Sequence, residues 1–354
     1  MPEYITKIAD RFELEMWDSL VEKSDMGTLF HKYHWLKSAE KESGLKLLPI
    51  IVYKEKEPKI LLPIFEKKIL NLKFFFSPPP KCFIPYLGII TLISSNKQNV
   101  IEKNYFKLIE SLVAFIKNLK PIYINIRNSP TLQDYRPLVW NGYKITPKYT
   151  YYIKLRTGSD SIFYSFKSQI RTDIKRAKKY NNLIIKEGNI DDFLKIIFYV
   201  KKRFENQKII FNTSYKYFIE IFDKLRDNIH IKAIYKNDKF LTGLVLLNYK
   251  KIVRHWIGGI VPYENLIGLN ELLHWETIEE SIKKGYNYYD LMGANTKHLC
   301  SYKSKFNPKL ILYFEVEKRN NLGSIIKYLY IKLDTILKKR NAKDKNKFNK
   351  KNKF

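Results

Sequence analysis

Apolar residues recur along the chain with two different spacings, and their alternation predicts an α/β protein. In the first half, stripes with helical spacing predict helices at 12–21, 33–41, 100–118 and 132–140. Runs rich in Ile, Leu, Val and Tyr predict strands at 47–53, 60–65, 86–92, 122–126 and 148–155. The run Ser77-Pro78-Pro79-Pro80 interrupts the pattern, because proline lacks the amide hydrogen that a helix or a central strand requires.

The second half repeats this order of elements without evident sequence identity. Helices are predicted at 161–180, 191–204, 214–226 and 268–284, and strands at 229–235, 241–249, 252–257, 286–292 and 310–316. This order is typical of a mixed sheet flanked by helices. We therefore predict two similar lobes, 1–155 and 156–320, followed by an amphipathic helix at 321–340 and a disordered basic tail at 341–354.

Composition narrows the class of protein. The chain has 354 residues, of which 45% are apolar, and this excludes a disordered or fibrous protein. Its two cysteines, Cys82 and Cys300, cannot form a disulfide framework or a cysteine zinc cluster. The sequence contains no apolar run of about 18 residues and no apolar segment of a signal peptide at its N-terminus. We expect a soluble cytoplasmic protein.

The charge is strongly basic and admits two interpretations. Lys and Arg number 65 against 35 Asp and Glu, a net charge of +30, and residues 338–354 alone contribute +8. The excess accompanies many Ile, Asn, Tyr and Phe residues, which an AT-rich coding bias would also enrich. The alternative is a polyanionic partner, namely RNA, an anionic membrane surface at the inner face of the membrane, or a phosphorylated substrate. The basic tail is the candidate for a peripheral membrane contact.

The segment 166–179 combines an apolar stripe with a basic one. At helical spacing the apolar stripe consists of Phe166, Ile170, Ile174 and Ala177. The adjacent stripe consists of Lys167, Arg171, Lys175, Lys178 and Lys179. Like charges four residues apart destabilise a helix, and a bound phosphate would remove that cost. A solvated lysine-rich face is the alternative interpretation.

Chemistry is also indicated where two predicted strands end. The glycines around 256–270 join a strand to a helix and offer backbone N–H groups to an anion, but their spacing does not match a P-loop or a dinucleotide site. Asp290 ends a strand, and Lys303 and Lys305 follow on a polar connection, where they could orient an amine or stabilise an oxyanion. A helix cap and a surface ion pair are the alternative.

The histidines provide no metal signature. None of the six has a spacing typical of a metal site. His255 and Trp256 share a predicted strand and face opposite sides, so that one of them is a candidate for lining a cleft and a packed core residue is the alternative.

Five segments in this order resemble one family. They are RTDIKRAKK (171–179), WIGG (256–259), LLHWE (272–276), GYNYYDLMG (285–293) and YKSKF (302–306), with weaker matches at FHKYHW (30–35) and PYLG (85–88). Together they resemble the Fem-type peptidoglycan aminoacyltransferases within the Gcn5-related N-acyltransferase superfamily. The resemblance covers about 160–316 and implies two tandem Gcn5-related acyltransferase-like lobes.

The resemblance also implies an activity and a set of residues. It implies acyl transfer to an amine of a phosphorylated, nucleotide-sugar or lipid-linked cell-envelope precursor, with aminoacyl-tRNA or acyl-coenzyme A as co-substrate and no tightly bound cofactor. By this resemblance Lys303 stabilises the donor or the oxyanion. The acceptor amine must be neutral to attack, and Asp290 or the substrate's own phosphate is the candidate base that takes its proton. Substrate contacts are expected from Arg171, Lys175, Tyr86, Trp256, Tyr302 and Lys305, and donor contacts from Gly268 and Asn270.

Two departures from the family pattern leave the donor open. The second half lacks the heptads of the coiled-coil arm found in many tRNA-using relatives, and the coenzyme A loop is represented only by a degenerate match at 265–270. The alternatives are a coenzyme A-dependent N-acetyltransferase of an amino sugar and a non-catalytic RNA- or membrane-binding protein with the same fold.

Overall fold

One large mixed sheet organises the chain. The computed structural model describes residues 3–93, 95–258 and 266–325. The predicted basic tail, and all of the predicted C-terminal helix beyond residue 325, lie outside these ranges.

The described residues of the first half form six strands and four α-helices. The strands are β1 (Tyr4–Ile8), β2 (Lys46–Lys54), β3 (Glu57–Ile69), β4 (Leu72–Ser77), β5 (Ile90–Thr91) and β6 (Tyr123–Arg127). The helices are α1 (Arg11–Lys23), α2 (Tyr33–Ser43), α3 (Gln98–Asn118) and α4 (Arg136–Trp140). Asp10 and Glu13 form a capping box at the start of α1, and β4 ends where the proline run begins.

In the second half, the elements with defined bounds within 144–258 and 266–319 are seven strands and six α-helices. The strands are β7 (Lys144–Lys154), β8 (Leu183–Glu187), β9 (Ile229–Lys236), β10 (Lys239–Tyr249), β11 (Ile252–Gly258), β12 (Tyr288–Asp290) and β13 (Lys309–Arg319). The helices are α5 (Ser159–Ser165), α6 (Ser168–Ala177), α7 (Ile190–Asn206), α8 (Tyr215–Lys224), α9 (Leu269–Lys283) and α10 (Lys297–Lys303).

The strands of both halves join in a single sheet. Its order is β1-β2-β3-β4-β6-β13-β7-β12-β11-β10-β9-β8, and β5 pairs with β3 off this path. The pairs β4–β6 and β11–β12 are parallel, whereas the β9–β10–β11 hairpins are antiparallel. The predicted mixed α/β fold class is therefore confirmed.

The last described strand along the chain, β13, lies in the middle of the sheet and connects its two halves. β13 pairs antiparallel with β6 on one side and with β7 on the other. β7, which the predicted boundary at 155 assigns to the first lobe, pairs with β12 and β13 and so lies in the second half of the sheet. Sequence order and sheet order therefore differ at this boundary, because strand pairing and not chain continuity places β7.

Helices cover both faces of the sheet and create three cores. On one face α1 and α2 of the first half and α7 and α8 of the second half pack into a shared core, in which the rings of Trp35 and Trp256 lie 5.0 Å apart. On the other face α3 covers the first half and α6 and α9 cover the second. Because the shared core contains residues from both halves, the halves are packed together by apolar burial as well as by strand pairing.

The predicted helix at 161–180 is two helices. α5 ends before Phe166, whose backbone is extended and whose ring packs between Trp275 and Phe306. Nη1 of Arg171 donates 2.7 Å hydrogen bonds to the carbonyl oxygens of Tyr164 and Phe166 and so satisfies the end of α5. The apolar stripe predicted for this segment is buried in the core of the second half.

The predicted strand at 86–92 is mostly a loop, and only Ile90–Thr91 forms strand β5. Gly88 has φ +82, and a Cβ at this position would lie 2.3 Å from Asn128 Oδ1, so the chain turns closely against the segment after β6. Three strands, β1, β4 and β8, and helix α10 are absent from the prediction.

Candidate functional site

The two parallel strands β11 and β12 separate after a short pairing. Their register covers three residue pairs and ends at Arg254 and Asp290, although β11 continues to Gly258. On its other edge β11 has a bulge, because Leu246 pairs with His255 and Val245 with Ile257, so that Trp256 has no partner in β10. The sheet therefore opens at the end of these strands.

A cavity of about 490 Å³ lies at this opening. Part of its lining is apolar and belongs to the shared core: Val200 and Phe204 of α7, Trp256, and Phe83 of the first half. The polar part consists of Arg203, His255, Asn270, His274, His298, Tyr302 and Lys303. Among the described lining residues there is no Asp or Glu, so the cavity presents positive charge and hydrogen-bond donors to a ligand.

Lys303, at the end of α10, lies deep in this cavity. Its Nζ donates hydrogen bonds to the carbonyl oxygens of Met292 and Gly293, just after the end of β12. An ammonium group has three N–H donors, so one remains for a substrate. Burial lowers the pKa of Lys303 to about 8, although the negative charge of Asp290 opposes the shift. The side chain is therefore mostly protonated at neutral pH and close to its titration range.

Arg203, on α7, is the second cation of the cavity. It is partly buried, burial lowers its pKa, and it forms no ion pair with a described residue. Its charge contributes to the lowered pKa values of both Lys303 and His255, so these groups act on one another electrostatically. Such a cluster of unpaired donors favours an anionic group of a ligand, such as a phosphate or a carboxylate.

Two histidine rings lie side by side between β11 and α9. The rings of His255 and His274 are 4.9 Å apart and nearly perpendicular. His274 Nδ1 forms a 2.7 Å hydrogen bond with the hydroxyl of Tyr289, whereas neither ring nitrogen of His255 has a partner among the described residues. Burial lowers the pKa of His255 well below its usual value, and the nearby His274 and Lys303 lower it further. The backbone of Leu291 has a smaller, opposite effect on this pKa.

His255 is therefore neutral at physiological pH. Its two buried nitrogens offer one donor and one acceptor to whatever occupies the cavity.

A second polar cluster lies just before the point where the strands separate, and it is closed. The carboxylate of Asp290 accepts hydrogen bonds from Thr150 Oγ1 (2.7 Å), the Met292 amide (2.8 Å) and Tyr86 Oη (3.0 Å). Arg254 Nε donates to Tyr86 Oη at 3.0 Å and lies 4.0 Å from Asp290 Oδ2. Burial raises the pKa of Asp290, and Arg254 and these donors oppose the rise.

The structure brings together four of the residues predicted for the site. Lys303, Tyr302, Trp256 and Asn270 all line the cavity. Trp256 Nε1 is already occupied by the Phe83 carbonyl oxygen, so its ring contributes a wall and no free donor. Asp290 and Tyr86 are fully buried beside the cavity and do not line it, so neither reaches a ligand in this arrangement.

Four other predicted residues lie outside the cavity. Arg171 is engaged with the end of α5, and Lys175 is exposed on α6. Lys305 Nζ donates to Gln169 Oε1 at 3.2 Å. Gly268 precedes α9 with φ +91, and a Cβ there would lie 2.1 Å from the Asp173 carbonyl oxygen, so it permits close packing of α9 on α6.

Arg203 and His274 are site residues that the sequence analysis did not name as candidates, although His274 lies within the motif at 272–276. His255 was named there with Trp256 as an alternative cleft residue, and the structure places both of them in the cavity lining. For Arg203 a signal was present. Phe193, Ile196 and Val200 belong to the buried stripe of α7, and Arg203 continues that stripe at i+3 from Val200. A charged residue at a core position indicates a cavity or a partner. For His255 the sequence could indicate a cleft position but not its lack of hydrogen bonds, because that depends on the distant α9.

The described residues contain neither a group of metal ligands nor a membrane-spanning helix. Their His, Cys, Asp and Glu side chains form no group of three or more able to hold a metal ion. None of the helices in this part of the chain is long and apolar enough to cross a membrane.

Comparison with protein families and known proteins adds an independent view of this region. Residues 165–304 match the family model described as "Acetyltransferase (GNAT) domain". This range contains the cavity residues of the second half from Val200 to Lys303. A search of curated protein sequences found no match.

Solved structures resemble the chain over nearly its whole length. FemX matches with a TM-score of 0.68 and 13% identity over 90% of this chain and 98% of the other. L-PGS from Bacillus licheniformis matches with a TM-score of 0.53 and 9% identity over 89% and 94%. A tandem GNAT protein from the clavulanic acid biosynthesis pathway matches with a TM-score of 0.51 and 6% identity over 90% and 98%. The predicted Fem-type resemblance and the tandem Gcn5-related fold are therefore confirmed.

Proposed function

We propose, from the premise that the chain carries a GNAT acetyltransferase domain within a Fem-like tandem fold, that it transfers an acyl or aminoacyl group to an amine of a phosphorylated cell-envelope precursor. The observation that supports this most directly is the cavity where β11 and β12 separate. There Lys303, Arg203 and the unpartnered His255 converge, and the described lining contains no carboxylate. These groups suit an anionic substrate and a reaction that develops negative charge on oxygen.

Binding of the acceptor is assigned to Arg203. Its guanidinium forms no ion pair with a described residue, so a phosphate gains charge-assisted hydrogen bonds there without displacing an internal partner. A bound phosphate would also reduce the repulsion among Arg203, Lys303 and His255. In this proposal Arg203 takes the phosphate role that the sequence motifs assigned to Arg171, whose guanidinium is engaged with backbone carbonyls.

The chemical step is assigned to Lys303 and His255. The acceptor amine attacks the acyl carbon as a neutral nucleophile, and the free N–H of the Lys303 ammonium stabilises the oxyanion that forms. His255 is neutral and has no hydrogen-bond partner among the described residues, so one ring nitrogen is free to accept a proton from the amine nitrogen and to pass it on to the leaving group. The products are an amide and the protonated leaving group.

Asp290 takes a different role in this proposal from the one that its sequence motif suggests. Its carboxylate oxygens already accept hydrogen bonds from Thr150, Tyr86 and the Met292 amide, so they are not available as a base. Its negative charge raises the pKa of Lys303 and so favours the ammonium form.

The second candidate function is a coenzyme A-dependent N-acetyltransferase of an amino sugar. It is favoured by the start of α9, where Gly268 packs against the backbone of α6 and Asn270 lines the cavity. The first amides of this 15-residue helix therefore lie beside the cavity, and helix N-termini attract phosphate groups. Thermal stabilisation by coenzyme A but not by aminoacyl-tRNA would favour this second candidate. Stabilisation by aminoacyl-tRNA but not by coenzyme A would favour aminoacyl transfer to a cell-envelope precursor.

The test compares two lysines that are two residues apart. The full-length protein is assayed for transfer from aminoacyl-tRNA and from acyl-coenzyme A to a nucleotide-linked cell-wall precursor with a free amine. We expect Lys303→Ala to lower kcat by about 10²- to 10³-fold, because it removes the oxyanion donor. Lys305→Ala is the matched control, since Lys305 lies outside the cavity, and it should leave kcat within about twofold.

Two results would contradict the proposal. One is a Lys303→Ala variant that is correctly folded and as active as the original chain. The other is a protein that binds RNA or vesicles but transfers no acyl group from either donor, as a non-catalytic member of the fold would.

A further inference from the structure

The loop between α7 and α8 exposes two adjacent isoleucines. Side chains of Ile209 and Ile210 are 49% and 79% exposed, although isoleucine is among the residues most often buried. Lys208, just before them, has φ +59, and the Ile209 amide donates a 2.8 Å hydrogen bond to the Phe204 carbonyl oxygen. The turn is thus closed by the backbone and holds the isoleucines outward at the end of α7.

This loop adjoins the apolar part of the cavity. Phe204 lines the cavity, and the ring of Phe211 lies 5.6 Å from that of Phe204 and 5.3 Å from that of Phe83, another lining residue. Apolar surface is therefore continuous from the cavity, through Phe211, to the exposed isoleucines. An exposed apolar group connected to a binding cavity is typical of an interaction site.

Positive charge surrounds the same loop. Lys208 lies within the loop. Lys81 contacts its end, because the Lys81 carbonyl oxygen accepts a hydrogen bond from Thr213. On the helices that flank the loop, Lys201 Nζ of α7 lies 6.0 Å from the ring of Tyr215, and Lys216 is the next residue of α8. The nearby acids are Glu205 and Glu42, and Glu42 is hydrogen-bonded to Ser214. Lys81, Lys201, Lys208 and Lys216 thus lie within the loop or next to its ends, against two acids. This excess of positive charge complements a surface that is negatively charged outside and apolar beneath.

We propose that the loop 207–213 docks the protein on an anionic lipid bilayer, with the isoleucines inserted among the acyl chains and the lysines at the headgroups. This inference rests on the proposed function and specifies its acceptor. An enzyme held in this way has its cavity beside the membrane surface, where a lipid-linked precursor carries its phosphate and its amine. The acceptor is then a lipid-linked molecule in preference to a freely diffusing nucleotide.

The test measures vesicle binding by co-sedimentation with full-length variants, all of which keep the basic tail. Vesicles of phosphatidylcholine alone are compared with vesicles containing about one third phosphatidylglycerol. The test variant is Ile209→Asp with Ile210→Asp. The matched control is Ile69→Asp with Leu70→Asp, because this pair on the β3–β4 hairpin is 46% and 91% exposed and receives the same added charge.

We expect the original chain and the control to bind the anionic vesicles equally and the loop variant to bind at least about tenfold more weakly. Unchanged binding of the loop variant, or loss of binding in the hairpin variant alone, would overturn the proposal. Sedimentation velocity without lipid adds a third outcome. If the original chain dimerises and only the loop variant is monomeric, a second copy and not a membrane covers the loop.

The result can be separated from the failure of the proposed function. Transfer to a water-soluble acceptor amine should be the same in the loop variant and the original chain. If neither transfers an acyl group while vesicle binding still depends on the isoleucines, the enzymatic proposal fails and the membrane contact remains.

Discussion

Two polar clusters adjoin one another where β11 and β12 separate, and they differ in how far they are satisfied. The closed cluster (Tyr86, Thr150, Arg254, Asp290) connects its side chains by hydrogen bonds of 2.7–3.0 Å, and Arg254 Nη1 is its unpartnered atom among the described residues. The open cluster (Arg203, His255, His274, Lys303) contains unpaired cations and an unpartnered imidazole. Arg254 and His255 are neighbours in the chain, yet they belong to different clusters.

Strand pairing accounts for the difference between the two clusters. Where β11 and β12 are paired, their side chains are enclosed and find partners within the protein. Beyond the last pair the strands leave space between them. Among the groups that line this space, His255 has no hydrogen-bond partner and Arg203 has no ion-pair partner within the described residues. A buried polar group without a partner costs about 1–3 kcal/mol, so the open cluster lowers stability and retains capacity for a ligand.

The largest expected effect is on the closed cluster. Asp290→Ala removes the carboxylate beside Arg254 and should lower the free energy of unfolding by about 3–5 kcal/mol, because it leaves a buried charge and two buried hydroxyls without their acceptor. Urea denaturation measures this change. The control is Asp223→Ala, an exposed position on α8, which should stay within about 0.5 kcal/mol. Similar losses for both variants would contradict the assignment.

The two histidines of the open cluster should respond in opposite ways. His255→Leu should lower kcat about 10²-fold or more without lowering the midpoint of thermal unfolding, because neither of its nitrogens has a partner to lose. His274→Leu removes the hydrogen bond to Tyr289 and should destabilise the protein by about 1–3 kcal/mol. If His255→Leu is the more destabilising of the two, its side chain is structural and not catalytic.

The two candidate phosphate ligands give the next effect. Arg203→Ala should raise the KM for a phosphorylated acceptor by about 10- to 100-fold, because it removes a charge-assisted contact worth about 1.5–3 kcal/mol. Arg171→Ala should change stability and not KM, since its guanidinium satisfies carbonyls at the end of α5. Steady-state kinetics with acceptors that carry and lack the phosphate distinguishes these roles. A KM effect in Arg171→Ala alone would restore the assignment made from sequence.

The smallest effect is expected in the pH profile. Because burial lowers the pKa of Lys303 to about 8, its ammonium form is lost above that pH and kcat should fall about tenfold per pH unit. Asp290 raises this pKa, so Asp290→Asn should move the fall to lower pH. Lys303→Arg should abolish it, because arginine stays charged. If kcat falls with pH in Lys303→Arg as it does in the original chain, the fall must come from the titration of another group.

Much of the fold followed from the sequence because the elements involved are locally encoded. The helices α3, α7, α8 and α9 and the hairpins β9–β10 and β10–β11 lie within a few residues of their predicted bounds. Each carries its own apolar period and its own stop signal. The strands β1 and β8 were not predicted, because both lie at the edges of the sheet, where one neighbour is enough and a continuous apolar run is not required.

The site was predicted less completely for a related reason. The motif at 302–306 identified Lys303 and Tyr302, which line the cavity. The motif at 171–179 drew attention to a charged helix face, but a stripe of charge does not reveal which cation lacks a partner. Arg171 and Arg203 are chemically the same, and only their surroundings separate a helix cap from a cavity cation.

The sequence alone determined the α/β class, the repeated order of elements, the resemblance to Fem-type acyltransferases and the lysine at the cavity. These properties depend on residues close together in the chain, where periodicity and motif spacing carry the information. The tertiary structure alone decided that β13 joins the two halves, that Asp290 is enclosed and that Arg203, His255 and Lys303 share one cavity. Those properties depend on where strand pairing ends, and pairing between distant segments is set by the packing of the whole sheet.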